Sequence, residues 1–345
     1  MSREGGILNS HDDGLGLPVL LLFNLDPAWP QADAESALQE AAALETGLVK
    51  GGHAVHLVLV RTPELLSYLR GFRPEEVIVF NACEELPGVV RSEALVAQTL
   101  ERLGFVYSGS RAEVLSRSWD KARVRRFLAR CGLPVPYWRV YERAEVDGWE
   151  RFPAIVKPAL EHCSVGLSPE AVVFSRAELQ RRVRYVHETF RQPALVEDFV
   201  DGREFHVSLL GNDELEILPI AEMDFGAFDD PRERICSYES KFCPGSKPYE
   251  QIEVRVPALL SLEEQKRLEE IARAVYRAFG CRDYARLDLR LRDGVFYVLD
   301  VNPNPDISPE TSLAEAARVA GYPYEVVLSR LVRLVARRHP VRGLQ

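Results

Sequence analysis

The chain has 345 residues, with 43 Lys+Arg against 52 Asp+Glu for a net charge of −9, and 46 % of it is hydrophobic, so it can bury a large core. No apolar run approaches the roughly 20 residues that span a bilayer, and the polar stretch from Met1 to Gly16 lacks the basic-then-apolar order of a signal peptide. The acidic balance disfavours generic nucleic-acid binding, and Cys83, Cys131, Cys163, Cys236, Cys243 and Cys281 show no Cys-x-x-Cys pairing, which speaks against a zinc knuckle or a disulfide framework. A cytoplasmic protein without membrane or nucleic-acid partners is the expectation.

The first section alternates strand and helix signals. Pro18–Asn24 is a continuous apolar run, as a buried parallel strand would be. Asp33 to Lys50 has helical spacing, with Ala37, Leu38, Ala41, Leu44 and Leu48 on one stripe, and Gly51-Gly52 ends it. Ala54–Val60 and Val77–Asn81 read as strands, and Ser92–Leu103 as a helix closed by Gly104. This rhythm predicts an open, mostly parallel sheet covered by helices.

A basic helix follows at Lys121–Cys131, then a strand at Ala154–Lys157, a helix at Arg176–Thr189 and a strand at Ala194–Glu197. From Glu204 the pattern turns antiparallel: Phe205–Leu210 runs into a turn at Gly211-Asn212-Asp213, and Glu216–Ala221 returns. Residues 224–257 are polar, rich in Gly and Pro, and show only short strands; a loop of this length is usually functional. Leu262–Gly280 is a strongly amphipathic helix, Asp283–Leu291 and Phe296–Val301 pair around Arg292-Asp293-Gly294, and two helices close the chain at about 312–320 and 324–338.

The sharpest chemistry lies on that last hairpin. Strand residues two apart point the same way, so Arg286 and Asp288 share a face, as do Asp300 and Asn302. If the turn pairs the strands, two carboxylates and an amide oxygen converge. These are hard donors suited to Mg²⁺, too few for a closed cage but enough for a nucleotide–metal site. Arg286 beside them suits a phosphate oxygen or an oxyanion. A solvated ion pair is the plainer reading of the four residues alone. The rigid, acceptor-rich segment Asn302–Pro309 shifts it towards a substrate-facing wall.

Other candidates are weaker singly. Lys157 ends an apolar strand before the loop Glu161–Gly166, a reasonable phosphate grip, although no Walker pattern is present. Lys121 and Lys241 are equally consistent with exposed lysines. Glu197 and Glu204 flank a turn that suits a hinge reading a base edge and a ribose. His206 reads as structural, and Cys163 as an incidental small residue.

In their order these pieces resemble the ATP-grasp superfamily, in its D-alanine–D-alanine ligase-like branch. The resemblance rests on Tyr107–Ser110 with Asp120-Lys121, Ile155–Pro158 with Ser164–Gly166, Leu195–Val200 with Gly202–Phe205, Tyr238–Lys241, Ala285–Asp288 and Val298–Asn302. It implies an α/β fold: an N-terminal open parallel-sheet domain over 1–115, a small ATP-grasp lobe over 116–200 and a large lobe with the metal site over 201–345. It implies ATP bound by Lys121, Lys157, Ser164, Glu197, Phe199, Val200, Glu204, Lys241 and Leu299, with Mg²⁺ (Mn²⁺ also admissible) on Asp288, Asp300 and Asn302. Arg286 is the implied catalytic residue, and Glu35, Asn304 and Ser308 are the implied substrate contacts. The implied reaction phosphorylates a carboxylate and lets an amine displace phosphate, giving an amide from an amino acid or small peptide. A homodimer is expected by analogy with the family.

The chain departs from that branch at several points. Cys163 stands for Ser, Phe242 for a frequent Tyr, Asp300 for Glu, and Asn81-Ala82-Cys83-Glu84 for a His-Gly motif. Ser308-Pro309-Glu310-Thr311-Ser312 stands where a Ser-Leu pair binds the second substrate's carboxylate. These changes predict a substrate pair other than two D-alanines. Nucleotide binding without turnover, and ester rather than amide formation, remain open alternatives.

Overall fold

The computed structural model describes residues 18–341. The stretch from Met1 to Gly16 lies outside the described residues, as do the last four residues of the expected large lobe.

The N-terminal layer is built from β1 (Val19–Asn24), α1 (Gln31–Lys50), β2 (Val55–Val60), α2 (Leu65–Leu69), β3 (Ile78–Ala82), α3 (Glu93–Leu103) and α4 (Ala112–Ser118). Its sheet is parallel in the order β2-β1-β3, so β1 is central. Every residue of β1 is buried, because one face packs on α1 and the other on α3, which explains the unbroken apolar run. Each covering helix lays its apolar stripe on the sheet: Ala37, Ala41, Leu44 and Leu48 from α1, and Val96, Ala97 and Leu100 from α3.

The middle layer begins with α5 (Lys121–Arg130), followed by β4 (Trp138–Tyr141), β5 (Ala154–Pro158), β6 (Val172–Val173), α6 (Arg176–Phe190) and β7 (Ala194–Asp198). The four strands form an antiparallel sheet, β4-β7-β5-β6, with α6 on one face. The short edge strand β4 and helix α2 carry no clear sequence signal and were not anticipated.

The third layer contains β8 (Arg203–Gly211), β9 (Leu215–Ile217), β10 (Ala221–Asp224), α7 (Glu239–Phe242), α8 (Lys247–Gln251), β11 (Glu253–Arg255), α9 (Leu262–Phe279), β12 (Tyr284–Arg292) and β13 (Val295–Asn302). Its antiparallel sheet runs β11-β10-β8-β12-β13, with β9 also pairing β8. The single return strand expected over Glu216–Ala221 is two strands, because the chain breaks between them and β10 pairs further along β8. The polar stretch 224–257 holds two short helices as well as a strand. α9 starts with a capping box between Ser261 and Glu264 and buries Leu268, Ala272, Val275, Tyr276 and Phe279 against the sheet.

The last helices are α10 (Ser312–Val319) and α11 (Tyr324–Ala336). Although the sequence places 324–336 after the third layer, Val327, Leu328, Leu331, Val332 and Val335 share one core with Val19, Leu21 and Phe23 of β1. The chain therefore closes back on its own first strand. The fold class expected from the sequence holds: a parallel α/β layer followed by two antiparallel α+β sheets. Among the described residues, no helix is long and apolar enough to cross a membrane.

Candidate functional site

The hairpin β12–β13 brings its polar residues together by register. Asp288 lies opposite Asp300, and Arg286 opposite Asn302. The register shifts between Asp288 and Leu289, which leaves Leu299 as the extra residue of a bulge. A bulge re-aims the side chains beside it, here Asp300 and Asn302. Asn302 Nδ2 donates to Asp288 Oδ2 at 3.2 Å, and Arg286 donates to the same carboxylate from Nε at 2.8 Å and Nη2 at 3.2 Å. Burial opposes ionisation of Asp288, but Arg286 and His206 outweigh it and hold the carboxyl below the usual range.

The expected phosphate cations surround this set. Lys121 opens α5, its N–H tied to Ala159 O at 3.0 Å, and its Nζ stands 3.4 Å from Asp300 Oδ2. Burial opposes the charge on Asp300, yet Lys121 leads the groups that hold its carboxyl well below the usual range. Lys157, next to last in β5, has its Nζ 2.8 Å from Glu197 Oε2. Lys241 is exposed on α7, and among the described residues it has no carboxylate partner. Lys241, Arg286 and Lys121 all act on the Cys163 thiol, so the loop after β5 sits within this positive field. In that loop Cys163 and Ser164 have φ of +52° and +60°, an uncommon conformation for residues other than glycine that turns the backbone sharply. Ser164 is not free for a ligand through its hydroxyl, which donates to Cys236 O at 2.8 Å.

At the residues expected to hold the nucleoside, the turn is more heavily braced than the sequence suggests. Glu197 is 1 % exposed and is gripped by Arg125 of α5 as well as by Lys157. Burial works against its charge, but Arg125 and then Lys157 bring the carboxyl down to about 2. Arg125 also donates to Leu299 O, so the bulge carbonyl is engaged. The Phe199 ring packs in a small cluster with Ile155, Val172 and Ile235, its N–H donates to Pro153 O, and its carbonyl accepts from Arg292. Phe199, expected at ATP, therefore has its ring in a core cluster and both backbone polar groups engaged. The Val200 N–H finds no acceptor among the described residues, while its carbonyl accepts from Arg290 Nη1 at 2.9 Å. Glu204 Oε2 accepts from Arg290 Nε at 2.7 Å, and its Oε1 faces His206 Nε2 at 3.6 Å.

The expected substrate contacts fare differently. Glu35 lies on the exposed face of α1 and accepts from Gln31 at 2.8 Å, away from the hairpin network. Asn304 is a brace: its Oδ1 accepts from Ser110 N at 2.8 Å and its Nδ2 donates to Glu93 at 3.1 Å. Ser308 closes a turn on Asp306 through both its N–H and its hydroxyl. Four acids, Glu40, Glu84, Glu93 and Asp306, lie near one another, and among the described residues none forms an ion pair. Glu84 keeps an exposed surface, yet the protein around it, and then Asp306 and Glu93, push its carboxyl above the usual range. A Ser–Leu pair is also present after all, at Ser312-Leu313. Ser312 opens α10 with its Oγ 3.4 Å from His206 Nδ1, and Leu313 is buried behind it.

Comparisons with known proteins agree with this fold. A family model described as D-ala D-ala ligase C-terminus matches residues 127–333, more than half of the chain. The chain belongs to the D-alanine–D-alanine ligase family. It is 33 % identical to the uncharacterized protein y4sG of Sinorhizobium fredii over 92 % of this chain and 91 % of that one. It is 31 % identical to the D-alanine–D-alanine ligase of Desulforudis audaxviator over 73 % of this chain and 80 % of that protein. The fold matches a crystal structure of Bacillus anthracis D-alanine–D-alanine ligase complexed with ATP at a TM-score of 0.72, with 20 % identity, covering 95 % of this chain and all of that one.

Several residues of this family member escaped the sequence reading. Arg125 stands four residues after Lys121, and i,i+4 spacing on a helix puts both on one face. Arg290 follows Asp288, and His206 follows Glu204, each by two positions on a strand, which is the same alternation that placed Arg286 and Asp288 together. Extending that rule along β8 and β12 would have found them. Glu84 and Glu93 carry no comparable signal, since they come together from separate parts of the chain.

Proposed function

We propose that this member of the D-alanine–D-alanine ligase family is an ATP-dependent, ADP-forming ligase that joins the carboxylate of an amino acid or small peptide to an amine. One observation carries the reading: Asp288, Asp300 and Asn302 converge within a set of cations (Arg286, Lys121, Lys157 and Lys241) suited to a triphosphate. The all-oxygen donor set fits Mg²⁺ or Mn²⁺, and its open positions suit phosphate oxygens and water. An ion held there supplies charge neutralisation and orients the phosphates.

The chain's own residues then have distinct tasks. Lys121, Lys157 and Lys241 bind phosphate oxygens. The Val200 N–H meets an acceptor on the adenine edge, and Glu204 accepts from ribose hydroxyls. Arg286 stabilises charge on the transferring phosphoryl group and on the oxyanion formed when the amine attacks. The segment carrying Cys236 and α7 lies against the loop after β5, where Ser164 Oγ holds Cys236 O and Tyr238 N donates to Leu167 O at 3.3 Å. That position lets it exclude water from an acyl phosphate. The catalysis is mainly positioning and charge neutralisation. The unpaired acids around Glu84 and Glu93 face the substrate side, where an ammonium group is their natural complement.

The substrate pair follows from two opposed features. Cys163, Phe242 and Asp300 favour a pair other than two D-alanines, while Ser312-Leu313 keeps the pair that binds the second carboxylate in the family. Incubation with ATP, Mg²⁺ and amino acids, with D-alanine alone as the first arm, should release ADP and give an amide identified by mass. With the acid substrate alone, hydroxylamine should trap a hydroxamate. ATP binding without ADP release across a broad panel would overturn the ligase reading in favour of a nucleotide-binding protein. An ester product would leave ATP use intact and overturn the amine as second substrate.

A further inference from the structure

We propose that Glu204, His206 and Cys236 form a second metal site, suited to Zn²⁺ and separate from the oxygen donors on the hairpin. The Glu204 carboxylate, a His206 ring nitrogen and Cys236 Sγ each offer one ligand atom, and these atoms all lie within 4.8 Å of one another. Glu204 and His206 are two residues apart on β8, so the strand itself points both into the same space. Cys236 arrives from the segment before α7, fixed by the hydrogen bond from Ser164 to its carbonyl.

The surroundings have the form that metal ligands require. A ligating imidazole normally has its second nitrogen held, and a ligating carboxylate is itself hydrogen-bonded. His206 Nδ1 lies 3.4 Å from Ser312 Oγ, and Glu204 Oε2 accepts from Arg290 at 2.7 Å. That leaves His206 Nε2, Glu204 Oε1 and the Cys236 thiol as the inward atoms. Tetrahedral zinc with bonds of about 2.0–2.3 Å needs its ligand atoms about 3.5 Å apart, and His206 Nε2 already stands 3.6 Å from Glu204 Oε1, with Cys236 Sγ inside the 4.8 Å limit. A carboxylate and a thiolate together neutralise a divalent ion. Sulfur and imidazole favour zinc over magnesium, whose preference is for oxygen. Arg286, Arg290 and Lys241 face the group and weaken the site, which makes it one that fills reversibly.

The consequence rests on the proposed function. Glu204 is the residue assigned to ribose there, and His206 Nε2 is also 3.8 Å from Asp288 Oδ1. Zinc in this triad would therefore compete with the nucleotide.

Cobalt is the probe. Added to the full chain without nucleotide, Co²⁺ should produce a thiolate charge-transfer band that Zn²⁺ abolishes at one equivalent. Cys236→Ser should remove the band, and His206→Gln should weaken Co²⁺ binding at least about tenfold. Cys163→Ser and Cys131→Ser should leave the band unchanged. A missing band in the wild type, or a band that survives Cys236→Ser, overturns the site. Thermal unfolding checks that each variant is folded, and a Zn²⁺-induced rise in midpoint in the wild type but not in Cys236→Ser is the second readout. ATP should lower Co²⁺ affinity. A band that ATP leaves untouched supports the metal site and overturns its overlap with the ribose, whereas a band with no ADP formation on any substrate supports the site while the ligase reading fails.

Discussion

Arg286 donates to Asp288 through Nε at 2.8 Å and Nη2 at 3.2 Å, so the arginine expected on phosphate rests on the carboxylate expected on metal. Lys121 stands in the same relation to Asp300 at 3.4 Å. With both carboxylates proposed for metal covered by cations proposed for phosphate, an ion arriving alone must break two ion pairs. An ion arriving with a triphosphate frees the cations for the phosphates. Calorimetry should show weak Mg²⁺ binding alone and ATP affinity rising by about 5- to 150-fold with Mg²⁺ present, the usual range of site coupling. Asp288→Asn should remove most of that gain. Equal ATP affinity with and without Mg²⁺ in the wild type would refute the exchange of partners.

Arg125 holds Glu197 and the Leu299 carbonyl from a side chain that is 1 % exposed. Removing one member of a buried pair costs about 3–5 kcal/mol where it leaves a charge uncompensated, and Lys157, which also holds Glu197, sets that as the upper end here. Arg125→Met should destabilise the protein by up to that amount in urea denaturation. Arg125→Met with Glu197→Gln should recover part of it, because the residues are in contact and their effects do not add. A double variant no more stable than the single one would show that the pair is not the source of the loss.

Glu93 lies where burial pushes its carboxyl up to about 7, against the pull of N–H donors on Trp119 and Asn304. Its ordinary value of 4.5 applies in the unfolded chain. Between those values the folded protein binds the proton and the unfolded chain does not. The contribution of Glu93 to stability is therefore present below pH 4.5 and lost as pH rises through about 7. Glu93→Gln should flatten that part of the profile, so its denaturation midpoint relative to wild type should be higher at pH 8 than at pH 5. An identical pH dependence in the two proteins would rule the group out as its source.

Gly109 and Gly104 both have left-handed backbones, with φ of +88° and +79°. A Cβ at Gly109 would sit 2.3 Å from Asn304 Oδ1, while one at Gly104 meets nothing within 4 Å. Gly104→Ala should cost about 1–2 kcal/mol, the price of the left-handed backbone alone. Gly109→Ala should cost more, and it should also disturb the Asn304 brace between Ser110 and Glu93. Equal losses in the two variants would mean that Asn304 moves away freely.

Much of the fold was readable from local pattern. The apolar run at Pro18–Asn24, the stripe on α1, the amphipathic α9 and the turn at Arg292-Asp293-Gly294 each carry their own period or turn chemistry. Period-two alternation also placed Arg286 with Asp288 and Asp300 with Asn302, because a strand decides the side of its residues without help from its neighbours. The short edge strand β4 and the split between β9 and β10 escaped that logic, since pairing with β7 and β8 decides them.

What the sequence by itself determined is the layered fold, the family and the polar hairpin of Arg286, Asp288, Asp300 and Asn302, because these rest on short-range periodicity and on motifs in order. The tertiary structure decided which charges are free and which are spent. It placed Arg125 and Lys157 on Glu197, gave Asn304 to Ser110 and Glu93, left Glu35 at the surface and brought Cys236 to Glu204 and His206. Those partners lie tens to hundreds of residues apart, and electrostatic and hydrogen-bond energies depend on separation in space. No spacing along the chain encodes that distance.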